Sequence, residues 1–125
     1  MPLFQKYYLS KCNLYSLNNL LVYNFNMTQL VHDLQQDNLK TMYKRQGINY
    51  LGLFGSFARG EETPKSDIDL LIDFNETKSL FDLARVKIYL QESLGRKVDL
   101  AMRGRLKKTL EPYVMRDLIT IYEKN

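Results

Sequence analysis

With one cysteine and one histidine in 125 residues, this chain has almost none of the side chains that build stapled folds. Cys12 has no cysteine to pair with inside the chain and no Cys/His cluster beside it, so neither a disulfide framework nor a structural zinc site is supported. A reducing compartment, the cytoplasm, is the expected location. His32 has no second ligand at a useful spacing and reads as a surface residue. No apolar run approaches the ~20 residues needed to cross a membrane. Internal repeats, low-complexity tracts and a helix-turn-helix pattern are also missing. Acidic residues are absent from one whole stretch: all 14 follow Met27, while the first 26 residues hold Lys6, Lys11 and four of the nine tyrosines. Asn13, Ser16, Asn18 and Asn19 interrupt the apolar positions there, whereas a secretory signal keeps a continuous apolar core. Residues 1–26 are therefore expected to be a leader or N-terminal extension upstream of a natural start at Met27. The alternative is an amphipathic arm with Leu14, Leu17, Leu20, Leu21 and Tyr23 along one side of a helix.

What is present is an ordinary globular composition, 45% hydrophobic and 26% charged, and a length that suits one domain, expected over residues 27–125. The net charge of +4 is mild, and its densest stretches are Arg96-Lys97 and the run Arg103, Arg105, Lys107, Lys108. Such charges most often solvate a surface, so direct nucleic-acid binding and a repressor role are not expected.

Apolar periodicity predicts alternating helices and strands. Thr28 is expected to cap a helix running to about Arg45, with Leu30, Leu34 and Met42 on one face and Gly47 ending it. Asn49 to Phe54 reads as a buried strand that delivers Gly55 and Ser56 at its end, and Ser56 to Gly60 as a short helix. From Ile68 to Phe74, Asp67, Asp69, Leu71 and Asp73 alternate with Ile68, Leu70, Ile72 and Phe74, the pattern of a strand. Ser79 and Asp82 form a capping-box signature, after which Leu80, Leu83, Val86, Leu90 and Leu94 recur at helical spacing up to Gly95. Val98 to Met102 reads as a third strand. Leu106, Leu110, Val114, Leu118 and Tyr122 predict a closing helix, and the tyrosines at 43, 50, 89, 113 and 122 are expected at the rim of the core.

The chemistry concentrates in GSFARGEETPKSDID, residues 55–69. A glycine and a serine at a strand-to-helix turn offer backbone N–H groups and a hydroxyl to a phosphate. Asp67 and Asp69, two apart on a strand, point to one side, where like charges repel unless a cation neutralises them. A hard cation such as Mg²⁺ takes oxygen ligands and suits that pair. Asp99 alone is weaker, since a single carboxylate at a strand edge is often just solvated. Arg59 reads equally as a partner for triphosphate charge or as a surface arginine. Asp73 and Lys65 read as surface or ion-pair residues.

Gly55-Ser56, ten intervening residues, Asp67-Ile68-Asp69, the local Phe57-Ala58-Arg59-Gly60 and the later strand carboxylate Asp99 together resemble the minimal nucleotidyltransferase (MNT) family, small members of the DNA polymerase beta-like superfamily. The likeness runs from residue 27 to 123. It implies an α/β (α+β) nucleotidyltransferase fold, a small mixed sheet of about three or four strands packed with about four helices. By the same resemblance Asp67, Asp69 and Asp99 are the catalytic metal ligands for Mg²⁺, two ions being expected. Gly55, Ser56 and Arg59 bind the nucleotide, and ATP is the substrate. Family members of this size are often antitoxins that transfer AMP to a tyrosine of a HEPN-domain ribonuclease toxin, so a HEPN partner in a hetero-oligomeric complex is implied. The alternatives are an antitoxin that neutralises by binding alone, and a nucleotidyltransferase acting on a small molecule or RNA end with a separate acceptor-binding subunit.

Overall fold

The computed structural model describes residues 26–125, so the expected leader lies outside the described residues except for Asn26. Helices α1 (Met27–Leu34) and α2 (Asp37–Arg45) precede strand β1 (Ile48–Phe54) and the short helix α3 (Gly55–Arg59). Strand β2 (Ile68–Phe74), helix α4 (Leu80–Leu94) and strand β3 (Val98–Met102) follow, and then a 3-10 turn (Arg103–Arg105), helix α5 (Glu111–Asp117) and strand β4 (Ile119–Glu123). The four strands form one mixed sheet in the order β3-β2-β1-β4; β1 runs antiparallel to both neighbours and β2 parallel to β3. The expected fold class is the observed one.

Strand alternation divides the core between two faces. Leu51 and Leu53 of β1, Ile68, Leu70 and Ile72 of β2 and Val98 of β3 join Leu30, Leu34, Leu39, Met42 and Tyr43 of α1 and α2 and Val86, Leu90 and Leu94 of α4 in the main core. The opposite face carries a small cluster of Tyr50, Leu71 and Val114. That thinly covered face also receives the alternate positions of β2 and β3, and so Asp69 and Asp99.

Three expectations are corrected. The first helix is two helices, broken at Gln35 and Gln36, and Asn26, rather than Thr28, caps it by accepting from the Gln29 amide. Leu34 and Leu39 are five residues apart, which on one continuous helix would turn them about 140° from each other; the break brings both into the core. The buried Tyr43 hydroxyl donates to the Leu34 carbonyl at 2.7 Å, satisfying an acceptor that the end of α1 leaves open. Tyr43→Phe is expected to cost about 1–2 kcal/mol by stranding that carbonyl, seen as a lower urea midpoint with an unchanged slope.

The second correction concerns the end of the chain. No helix runs from Leu106 to Tyr122; α5 is short, with Pro112 in its first turn, and Ile119–Glu123 is a strand on the outer edge of β1. The sequence Ile-Thr-Ile-Tyr-Glu suits a pleated edge, and pairing satisfies β1 backbone groups that a helix would leave open. Third, Leu80 does not cover the sheet. It is 73% exposed, as is the neighbouring Phe81 at 80%, although the Ser79–Asp82 capping box and the Gly95 stop of α4 form as expected. The tyrosines divide: Tyr43 and Tyr50 are buried and Tyr122 packs against the core, whereas Tyr89 and Tyr113 are exposed.

Candidate active site

The C-terminal end of β1 meets the N-terminal ends of β2 and β3, and the motif residues gather there. Phe54 is registered opposite Asp69, and Asp69 opposite Asp99 on the parallel neighbour. Asp67 lies one residue ahead of β2, where the Ile68 amide donates to the Lys97 carbonyl. Two strands thus bring together carboxylates that stand thirty residues apart in the chain.

Gly55 makes the approach possible. It turns the chain from β1 into α3 at φ +76°, and a Cβ there would run into the Asp69 carboxylate oxygen Oδ2. The residue must therefore be glycine both for its backbone and for the space it leaves. Ser56 is half-buried in the first turn of α3, and the fully buried Phe57 anchors the helix in the main core. Arg59 closes α3, with Nε donating to Glu61 at 3.0 Å and Nη1 to Asp117 at 2.9 Å.

The three aspartates are not equivalent. Asp67 pairs with Lys97 at 3.5 Å and Asp99 with Lys87 at 4.0 Å, both pairs open to solvent. Asp69 stands between them, half-buried. Burial, then the charge of Asp99, then that of Asp67 push its carboxyl up to about 6, against an opposing pull from Arg59. Among the described residues, no three carboxylates or imidazoles already close on one point at metal-binding spacing; Asp67 and Asp99 turn to their lysines on either side of Asp69. The donor set nevertheless fits a hard cation. It is all carboxylate oxygen, with no thiolate or imidazole, and it concentrates negative charge at one sheet end.

That raised carboxyl has a measurable consequence. Its native value lies above the unfolded value of 3.8, so the native state holds the extra proton. The stability this proton confers is fully present below the unfolded value and is lost as pH rises through about 6. Discounted for solvent screening, the loss is on the order of 1–2 kcal/mol. Urea unfolding in EDTA is expected to show Asp69→Asn gaining on the parent chain between pH 4.5 and about 7.5, the assay range set to bracket that titration. A difference that does not change with pH would contradict the placement of this carboxylate.

Lys87, Lys97, Arg96 and Asp117 take part in the site without having been singled out from the sequence. Arg96 donates to the carbonyls of Pro64 and Ser66 and lies over the Phe57 ring, tying down the loop that leads into Asp67. The Arg96-Lys97 pair beside the Asp99 strand was a visible signal for two of them. Asp117 had none, since its partner is 58 residues away. Asp73 is half-buried four residues along β2 from Asp69, towards the other end of the sheet. Among the described residues no helix is long and apolar enough to cross a membrane.

Comparison with known proteins shows the family and the fold. The family profile described as nucleotidyltransferase domain matches residues 36–121. A protein adenylyltransferase MntA from Thermococcus cleftensis is 38% identical over 82 residues, covering 66% of this chain and 83% of its own length. A solved structure of a proposed minimal nucleotidyltransferase is 33% identical, with TM-score 0.65, over 78% of this chain and 98% of its own. A chain of a solved structure described as tri-AMPylated Shewanella oneidensis HEPN toxin in complex with MNT antitoxin shares the fold at TM-score 0.55 and 17% identity, over 73% of this chain and 71% of that one. Glycine, serine and strand aspartates assembled at one sheet end, on a sheet that these relatives share, place the chain in the nucleotidyltransferase domain family as a minimal nucleotidyltransferase.

Proposed function

We propose that this enzyme transfers AMP from ATP to a tyrosine hydroxyl of a HEPN-domain ribonuclease and thereby silences it as its antitoxin. The observation that carries this reading is the likeness to a protein adenylyltransferase across 83% of that relative's length, beside a nucleotidyltransferase domain match whose residues 36–121 span Gly55 to Asp99. The structural neighbour in complex with a modified HEPN toxin supports the class of partner. An adenylyl group adds bulk and a phosphodiester charge where a ribonuclease must receive RNA phosphate, so steric and charge exclusion would follow.

Within this reading Asp67, Asp69 and Asp99 would hold Mg²⁺. When bound, that ion neutralises charge on the triphosphate and lowers the pKa of an attacking hydroxyl. Gly55 leaves room for the Asp69 carboxylate, and Ser56 would offer its hydroxyl and neighbouring amides to phosphate oxygens. Asp99, half exposed and paired with Lys87 across 4.0 Å, would also accept the proton of the incoming hydroxyl. Arg59 supplies fixed positive charge on the α3 side.

The test is the intact mass of the partner encoded beside this chain, after co-expression. Increments of whole AMP groups support the reading. A partner that is bound and silenced at unchanged mass would replace it with neutralisation by binding alone, and one neither bound nor modified would point to a small-molecule or RNA acceptor.

A further inference from the structure

Arg59 lies four residues after Gly55, at the other end of the short helix α3. Its guanidinium reaches α5, whose Val114 packs with Leu71 on the sheet face that also carries Asp69. That guanidinium is held. Nε donates to Glu61 and Nη1 to Asp117, and neither of these bonds uses Nη2. The two carboxylates are unlike. Glu61 is two residues away and 66% exposed, whereas the Asp117 side chain is only 9% exposed, and its second oxygen accepts from Arg116 at 3.2 Å. Asp117 is the last residue of α5, with Leu118 alone between it and the strand that locks onto β1. A planar fork with one arm fixed by a carboxylate on a rigid element loses little freedom when it takes a further acceptor.

We propose that Asp117 is a positioning residue for nucleotidyl transfer: from the end of α5 it holds the Arg59 guanidinium beside the aspartates, leaving Nη2 for a phosphate oxygen of the triphosphate. The assignment rests on the reading of Arg59 as nucleotide-binding.

The sign of the effect separates positioning from charge. Removing an anion near a triphosphate site should strengthen nucleotide binding by Coulomb's law alone; removing the group that orients Arg59 should weaken it. Calorimetric titration of the full chain with AMP-PNP and Mg²⁺ reads the difference. Asp117→Asn is expected to raise Kd about 10-fold, the low end of what loss of an orienting partner costs. Asp117→Glu should restore most of the affinity, and in an Arg59→Ala background Asp117→Asn should no longer weaken binding, leaving it unchanged or, by the Coulomb effect alone, tighter. Should Asp117→Asn fail to fold, Asp117→Glu carries the test, with a smaller loss expected only where Arg59 is present. An Asp117→Asn substitution that leaves binding unchanged or tighter where Arg59 is present, or that weakens it equally without Arg59, overturns the assignment. Parent protein that binds no AMP-PNP overturns it together with the nucleotide reading, whereas a parent that binds, beside an unaffected Asp117→Asn, overturns this assignment alone.

Discussion

On the proposed reading, Asp67→Asn/Asp69→Asn is expected to lower AMP transfer at least about 1,000-fold, because a cation held by these carboxylates would contribute several kcal/mol of charge stabilisation in transfer. The same change should leave the fold intact. Asp67 is half-buried before β2, and its one ion pair, to Lys97, is open to solvent, a kind of pair worth little. Asp69 is already pushed towards its neutral form by burial and by its two acidic neighbours, so an uncharged amide relieves repulsion. Loss of transfer is thus predicted together with equal or higher thermal stability of the EDTA-treated protein. Time courses of partner mass and melting curves on the same preparations would check both. Transfer retained by the well-folded variant would rule out these aspartates as metal ligands, and a large drop in melting temperature would show that they serve the fold instead.

Gly55→Ala should damage both the fold and the site. At φ +76° a side chain costs roughly 1–2 kcal/mol for conformation alone. The new Cβ would also run into the Asp69 carboxylate, an atom of the site rather than a flexible surface chain. The expected result is destabilisation of about 2 kcal/mol or more, with nucleotide binding lost because α3 and Asp69 cannot both keep their places. Gly60→Ala is the internal comparison. Gly60 has almost the same φ, +70°, but open space where a Cβ would stand, so only the conformational part, about 1–2 kcal/mol, should appear and binding should survive. Equal effects at the two positions would show that backbone strain accounts for both and that the contact with Asp69 does not matter.

Much of this molecule was legible before any coordinates. The strands at Ile68–Phe74 and Val98–Met102, the capped helix from Leu80 to Leu94 and the turn at Gly55 emerge where periodicity and turn chemistry place them, because each depends on residues only a few positions apart. Gly55, Ser56, Asp67 and Asp69 belong to one short segment, so a single pattern exposes them together. The errors share another cause. A hydrophobic stripe at four-residue spacing satisfied a helix from Leu106 to Tyr122, but the edge of β1 required a partner, and Ile119–Glu123 supplied it. Likewise, one continuous helix from Met27 to Arg45 was consistent with local spacing, yet only a break brings Leu34 and Leu39 into the same core.

The sequence alone determined the class of chemistry, since a glycine and serine ten residues ahead of paired aspartates, with almost no cysteine or histidine, leave oxygen-ligated cations and phosphate as the natural partners. Tertiary structure decided the rest. Parallel pairing of β2 with β3 sets Asp99 beside Asp69 and brings Lys97 to Asp67, and packing of α5 against α3 sets Asp117 on Arg59. Those charges meet only after the sheet has formed, across separations at which local periodicity carries no signal. Their mutual repulsion and pairing therefore belong to the fold rather than to any segment of it.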